Sequence, residues 1–101
     1  AAIEADKWAI GVDSDQYLTS GDETAQAHIL TSMIKRVDVA VFETIKASVE
    51  GDTSGGIKMF DLSNDGVGYS TSGGYLDDVV SKLDEIKAKI VAGDIEVPTK
   101  P

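Results

Sequence analysis

Along this chain of 101 residues, short runs of apolar residues alternate with stretches in which apolar residues recur at the spacing of an α-helix. Residues 8–12 read WAIGV, and an apolar run of this length between polar residues is typical of a strand that is buried on both faces. A second run, residues 28–34, is followed by valine and isoleucine at intervals of four, which predict a helix over residues 37–50. The polar residues 14–27 between the two strands are expected to form a loop. Strands that alternate with helices favour the α/β class over all-α or all-β folds.

The second half of the chain continues this alternation. The sequence predicts a third strand over residues 57–62, a short fourth strand at Val67 and Tyr69, and a closing helix that ends at Gly93. The closing helix has the clearest signal, because one face carries large apolar residues at helical spacing: Leu76, Val79, Val80, Leu83, Ile86, Ile90 and Val91. Beyond it, residues 94–101 contain two prolines and are expected to run extended over a surface.

Size and charge exclude several kinds of function. A chain of this length buries only a small core of its own. Its net charge of −9 opposes binding to the phosphates of nucleic acid and to anionic membrane surfaces, so no nucleic acid partner is expected. The sequence has no cysteine, which excludes disulfide bonds and thiolate metal ligands. Because the chain begins at Ala1 and residues 1–7 resemble the end of a helix, we expect it to be a segment of a longer protein.

Catalytic and cofactor-binding patterns are missing from the sequence. A nucleophilic triad needs a base beside its nucleophile, yet the chain has one histidine and no nucleophile elbow. Gly66 and Gly68 form only a GxG pair, which lacks the rest of a phosphate-binding loop. The aspartate series that begin at Asp13 and Asp61 resemble calcium loops, but neither has the glutamate that an EF-hand requires at its last position. We therefore predict a protein that is not an enzyme and that uses no cofactor or metal.

The end of the first strand is a candidate ligand-binding position. Asp13 directly follows the apolar run, and ligands of open α/β sheets bind at the carboxyl ends of the strands. A carboxylate there can accept hydrogen bonds from the adjacent hydroxyls of a sugar. The same position also suits a loop cap, in which the carboxylate accepts hydrogen bonds from backbone N–H groups. Position alone leaves both interpretations open.

Two longer motifs carry a family resemblance. Residues 8–16, WAIGVDSDQ, and residues 29–40, ILTSMIKRVDVA, together resemble the paired signature of the basic membrane protein family, the purine nucleoside receptor-like binding lipoproteins of ABC transporters. The resemblance extends through GVGYS at residues 66–70 to IVAGDIEVP at residues 90–98. It covers essentially the whole chain, so residues 1–101 are expected to form a single segment, the C-terminal portion of a solute-binding domain. The fold it implies is the C-terminal part of a two-lobed type I periplasmic binding protein.

The resemblance also implies a role for four residues. Asp13 matches the family aspartate that accepts hydrogen bonds from the ribose hydroxyls of a nucleoside. Lys35 matches a lysine that contacts the ligand from the neighbouring strand end, although its position alone would indicate a surface lysine. Asp15 and Gln16 belong to the first motif, and a supporting or loop-ordering role is expected for them.

Partners and location follow from the same resemblance. It implies that a periplasmic or cell-surface lipoprotein captures a purine nucleoside outside the cytoplasm and presents it to an ABC transporter permease. The N-terminal remainder of the same protein would supply the rest of the binding site. Two alternatives stay open: a binding protein for a sugar or another small polar metabolite, and a surface or regulatory interaction module without a role in transport.

Overall fold

The computed structural model describes residues 1–100, and Pro101, the last residue of the predicted tail, lies outside the described residues. The α-helices within them are α1 (Ala2–Ala5), α2 (Gln16–Thr19), α3 (Glu23–Gln26), α4 (Val37–Val49) and α5 (Val80–Ala92). The strands are β1 (Ala9–Asp13), β2 (Ile29–Lys35) and β3 (Val67–Tyr69), and 3₁₀ turns cover Leu62–Asn64 and Asp77–Val79. Among the described residues, no helix has the length and apolar composition that a membrane crossing requires.

The three strands form one mixed sheet in the order β1-β2-β3. β1 and β2 run parallel, with Asp13 opposite Ile34. β3 runs antiparallel to β2, with Val67 opposite Lys35. The carboxyl ends of β1 and β2 and the start of β3 therefore lie at one edge of the sheet.

Most of the predicted elements are present. The strands predicted at residues 8–12 and 28–34 and at Val67 and Tyr69 are confirmed, as are both long helices. α4 is followed by Gly51 at φ +96° and α5 by Gly93 at φ +85°. Glycine adopts this left-handed backbone without steric cost, which explains why both helices end there.

The predicted strand over residues 57–62 is wrong. Ile57 and Met59 are 97% and 73% exposed, because no strand edge or helix of the described residues covers them. The segment enters the 3₁₀ turn instead, where the side chains of Asp61 and Asn64 cap the backbone reciprocally. Apolar residues alternate here without a neighbouring strand to pair with.

The predicted loop over residues 14–27 is also corrected in part, because it contains the single-turn helices α2 and α3. An aspartate caps each one: Asp15 Oδ1 accepts from the N–H of Tyr17 at 3.1 Å, and Asp22 Oδ1 from the N–H of Thr24 at 2.8 Å. The polar residues that indicate turns in the sequence thus serve as helix N-caps.

The buried core of the described residues is small, as the chain length predicts. At its centre lies Ser32 of β2, which is fully buried and accepts a hydrogen bond from the N–H of Gln16 at 3.1 Å. Gly11 of β1 lies opposite Ser32 in the parallel pair. A Cβ at Gly11 would overlap the Ser32 hydroxyl and the Gln16 side chain. A close polar contact therefore holds β1, β2 and α2 together where a larger domain would pack bulky side chains.

Helix α4 has no apolar cover within the described residues. None of its residues is buried, and the stripe that predicts the helix remains exposed, with Val41 at 52% and Ile45 at 59%. Ile10 and Val12 are similarly exposed on one face of β1. Contiguous apolar surface of this kind marks an interface in a soluble protein.

Substitution of Gly11 by alanine tests the close contact at the centre of the sheet. We expect Gly11→Ala to lower the free energy of unfolding by about 1–3 kcal/mol, because the new methyl group displaces Ser32 or Gln16. Gly68→Ala in β3 is the matched control, since a Cβ there meets no atom within 4 Å. Chemical denaturation of both variants measures the difference, and equal stabilities would contradict this explanation.

Candidate functional site

The structure places Asp13 and Lys35 at the ends of adjacent parallel strands. Asp13 pairs with Ile34, so Lys35 lies one residue beyond it at the same edge of the sheet. Both residues are exposed. Within residues 1–100, neither side chain takes part in an ion pair, so both charged groups are available at the edge. This edge is the predicted ligand-binding position.

A three-residue turn changes the backbone direction at Asp13. The residue has φ +74°, and the N–H of Ser14 donates to the carbonyl oxygen of Val12 at 3.0 Å, which closes a γ-turn around Asp13. In a regular strand, Asp13 would share a face with Ile34, and Lys35 would take the opposite face. The turn frees the Asp13 side chain from that alternation.

Gln16 supports the same turn with its side chain. Its Nε2 donates to the carbonyl oxygen of Val12 at 3.2 Å, so this oxygen accepts from both Ser14 and Gln16. The backbone N–H of Gln16 donates to the buried hydroxyl of Ser32. Gln16 therefore connects the turn to the centre of the sheet, an arrangement that fits a loop-ordering residue.

Asp15 links the end of β1 to the segment that follows β3. Its Oδ2 accepts hydrogen bonds from the hydroxyls of Ser70 and Ser72, both at 2.6 Å, across 55 and 57 residues of sequence. Its Oδ1 caps α2 through the N–H of Tyr17. The oxygens of this carboxylate thus accept hydrogen bonds from the protein itself rather than from groups at the open edge. We call this group of Asp15, Ser70 and Ser72 the serine clamp.

The environment of Asp15 favours its ionised form. Partial burial by itself raises the pKa of this carboxyl group, but the hydrogen bonds from Ser70 and Ser72 and from the backbone outweigh it, so the pKa lies below its usual value. Asp15 is therefore charged at neutral pH. Hydrogen bonds to an ionised acceptor are stronger than those between neutral groups, which makes the clamp a firm connection.

Three aromatic side chains pack at the other end of β1. The ring centroid of Tyr75 lies 4.8 Å from that of Trp8 and 6.5 Å from that of Tyr17. The backbone of Gly73, at φ +89°, passes so close to both tyrosines that a Cβ there would meet their rings. Trp8, the residue before β1, thus packs one side of its ring against Tyr75 and remains 54% exposed.

Several cavities among residues 1–100 lie away from the Asp13 edge. One cavity of about 590 Å³ lies between α5, the 3₁₀ turn and the tail, with Val67, Ile90 and Val97 in its lining. Within the described residues no group of three or more potential metal ligands occurs. The Asp13 edge is an open surface, and a ligand there needs a second wall to be enclosed.

Sequence reasoning missed the residues that hold the site in place. Ser70 belongs to the GVGYS motif, but nothing in the local pattern indicates that its hydroxyl meets Asp15. In the sequence, Ser32 is a polar residue within the apolar run 28–34. A buried serine in an apolar strand is itself a usable signal, because a buried hydroxyl requires a partner.

A family model described as ABC transporter substrate-binding protein, PnrA-like, matches residues 3–101. The chain therefore belongs to this family of solute-binding proteins. This membership confirms the predicted family and the α/β periplasmic binding protein fold class. Together with the lipoproteins among its relatives, it also confirms the predicted extracytoplasmic location.

Particular relatives come from bacteria and archaea. The CD4+ T-cell-stimulating antigen of Listeria monocytogenes is 44% identical over 100 residues, which cover 93% of this chain and 28% of the antigen. The protein of the same description from Listeria innocua matches equally well. An uncharacterized lipoprotein of Pyrococcus abyssi is 43% identical over 61 residues, or 60% of this chain and 14% of the lipoprotein. The chain thus spans little more than a quarter of the length of its Listeria relatives.

The lowered pKa of Asp15 predicts how the clamp responds to pH. A carboxyl group whose pKa is lower in the folded state stabilises the fold above its unfolded pKa, and this contribution is lost as pH falls through the folded value. We expect Asp15→Asn to lower the free energy of unfolding by about 1.5–3 kcal/mol at pH 7. The difference from the wild-type protein should shrink below about pH 4.

Asp22→Asn is the matched control for this experiment. Asp22 caps α3 as Asp15 caps α2, and asparagine replaces aspartate well at an N-cap, so the control should stay within about 0.5 kcal/mol of wild type. Denaturation of the three proteins at several pH values between about 3 and 7, which include the range where carboxyl groups titrate, gives their free energies of unfolding and so measures both effects. A loss at Asp15 that does not change with pH would contradict the assigned role of its charge.

Proposed function

We propose that this chain is the C-terminal portion of a two-lobed extracytoplasmic lipoprotein that captures a purine nucleoside and presents it to an ABC transporter permease. The observation that carries the proposal is the placement of Asp13 and Lys35 at neighbouring carboxyl ends of a parallel strand pair, in a member of a substrate-binding family. The protein acts by binding its ligand and leaves it chemically unchanged.

The two side chains complement a ribose. The Asp13 carboxylate accepts hydrogen bonds from two adjacent hydroxyls, and the Lys35 ammonium group donates up to three. A neutral ligand with vicinal hydroxyls uses both, because each hydroxyl group is donor and acceptor at once. The opposite charges of the pair also balance, so an uncharged nucleoside does not leave a net charge enclosed with it.

The remainder of the site comes from the N-terminal portion of the same protein in this proposal. The edge at Asp13 is open, and the apolar stripe of α4 is uncovered, as expected of a segment that normally packs against more chain. The small share of the Listeria antigen that the chain covers supports the same interpretation. Recognition of the purine base would fall to that portion, and contacts from both lobes would favour a closed form around the ligand.

Substitution of Asp13 tests the ligand contact directly. We expect Asp13→Ala in the complete protein to raise the dissociation constant for adenosine or guanosine by at least about tenfold, because the bound ligand loses a charged hydrogen-bond acceptor. Asp6→Ala is the matched control, since Asp6 is also exposed and also has a left-handed backbone, at φ +49°. Calorimetric titration gives both affinities.

The same titration separates the remaining alternatives. Ribose that binds as tightly as the nucleosides would indicate a sugar-binding protein, in which the base contributes nothing. Unchanged nucleoside affinity in Asp13→Ala would remove Asp13 from the site. Failure of the complete protein to bind either kind of ligand would support the module without a transport role.

A polar substitution on α4 tests the proposed cover of the apolar stripe. We expect Ile45→Asn to lower the free energy of unfolding of the complete protein by about 2 kcal/mol or more, because Ile45 becomes buried by the N-terminal portion. Lys46→Asn, one residue along the same helix, should cost about 0.5 kcal/mol or less. Similar effects in thermal or chemical denaturation would mean that Ile45 stays exposed in the complete protein.

A further inference from the structure

The γ-turn at Asp13 is a strained feature that needs support from its surroundings. A non-glycine residue with φ +74° in such a turn is held in a sparsely populated backbone conformation. Conformations of this kind persist only where neighbouring contacts determine them, and they concentrate at functional sites. Asp13 therefore depends on contacts that hold it in this conformation.

The turn itself supplies two of these contacts. The Val12 carbonyl oxygen accepts the N–H of Ser14, and the Gln16 side chain donates to the same oxygen. Both contacts lie within five residues of sequence, and the turn reaches the sheet through the backbone N–H of Gln16, which donates to the Ser32 hydroxyl of β2. A fixed orientation requires a connection to a part of the fold that is itself immobile.

The serine clamp provides such a connection. Ser70 is only 7% exposed, its N–H donates to the carbonyl oxygen of Ser32 at 2.9 Å, and its own carbonyl oxygen accepts from the Thr31 hydroxyl at 2.7 Å. The hydroxyl of Ser70 also accepts from the N–H of Ser72 at 3.0 Å. Ser70 is therefore anchored to β2 from several sides, and Asp15 is attached to that anchor.

Only Ser14 separates Asp15 from the turn residue Asp13. Because peptide units are planar, each residue has only two freely rotating backbone torsions. Few torsions therefore lie between Asp13 and Asp15, and a fixed Asp15 restricts the backbone conformation of Asp13. Hydrogen bonds from β2 to Ser70 and from Ser70 to Asp15, and then the backbone from Asp15 to Asp13, thus connect the sheet to the proposed ligand-binding carboxylate. Asp22 caps α3 by the same kind of bond, which joins it only to Thr24, two residues away.

We propose that Asp15, Ser70 and Ser72 are positioning residues that set the affinity for ligand by fixing the orientation of Asp13. The inference rests on the proposed role of Asp13 as a ligand-binding residue. In this proposal the three residues act without contacting the ligand, because the Asp15 carboxylate accepts from the N–H of Tyr17 and from both serine hydroxyls, which donate to it. Their effect on binding passes through the turn.

A double-mutant cycle in the complete protein tests this dependence. Calorimetric titration with guanosine gives the dissociation constants of wild type, Asp13→Ala, Asp15→Asn and the variant that carries both substitutions. We expect Asp15→Asn alone to weaken binding by about fivefold or more. In the Asp13→Ala background, the same substitution should weaken binding by less than about twofold, because its target is gone.

Ser72 gives a second, milder route to the same answer. Ser72→Ala removes one hydroxyl from Asp15, whereas Ser72→Thr keeps it. We expect the alanine variant to weaken guanosine binding by about threefold and the threonine variant to bind like wild type. All titrations are made at a temperature where denaturation curves show each variant to be fully folded, so a merely structural loss of stability does not change the affinity.

Each outcome decides between the inference and the function on which it rests. Wild-type affinity in both Asp15→Asn and Ser72→Ala, with a loss in Asp13→Ala, would overturn the positioning role and leave the proposed function intact. Losses that multiply in the double variant would show that Asp15 acts independently of Asp13, which also overturns it. Unchanged affinity in Asp13→Ala would remove Asp13 from the site and overturn the inference with it, whereas failure of the complete wild-type protein to bind guanosine would overturn the proposed function.

Discussion

The hydrogen bonds between the Asp15 carboxylate and the hydroxyls of Ser70 and Ser72 hold together the sheet edge that carries the proposed binding residues. They join the turn after β1 to the segment after β3, and β2 lies between these strands. Because the carboxylate is ionised and partly shielded from water, the connection is stronger than a contact between neutral groups on the surface. Together with the hydrogen bond from Gln16 to Ser32 it holds α2 in place, and in our proposal it also sets the orientation of Asp13.

The rest of the sheet is assembled around equally local polar contacts. Gly11 has no side chain, so the backbone of β1 approaches the Ser32 hydroxyl, which in turn satisfies the N–H of Gln16. Apolar burial contributes less than in a complete domain, and the stripe of α4 remains exposed. The described residues are thus well determined around Asp15 and Ser32 and leave apolar faces uncovered, a division that suits the proposed place of this chain in a larger binding protein.

The sequence predicts the elements better than the contacts between them. Helices α4 and α5 and the strands β1 and β2 follow from local periodicity and from runs of apolar residues, which need no knowledge of the fold. The edge position of Asp13 and Lys35 follows as well, because both end a strand. The error at residues 57–62 arises because alternation alone does not reveal whether a partner strand exists. The serine clamp spans more than half the chain, and no local pattern encodes such a contact.

Family membership and the strand-end geometry together support one account, in which an aspartate and a lysine from neighbouring strands bind the hydroxyls of a ribose. A crystal structure of the complete protein with a bound purine nucleoside tests this account most directly. The account predicts that an oxygen of Asp13 and the Nζ of Lys35 each lie about 3 Å from a ribose hydroxyl. A nucleoside bound elsewhere, or bound here with either side chain turned away from the ribose, would contradict it.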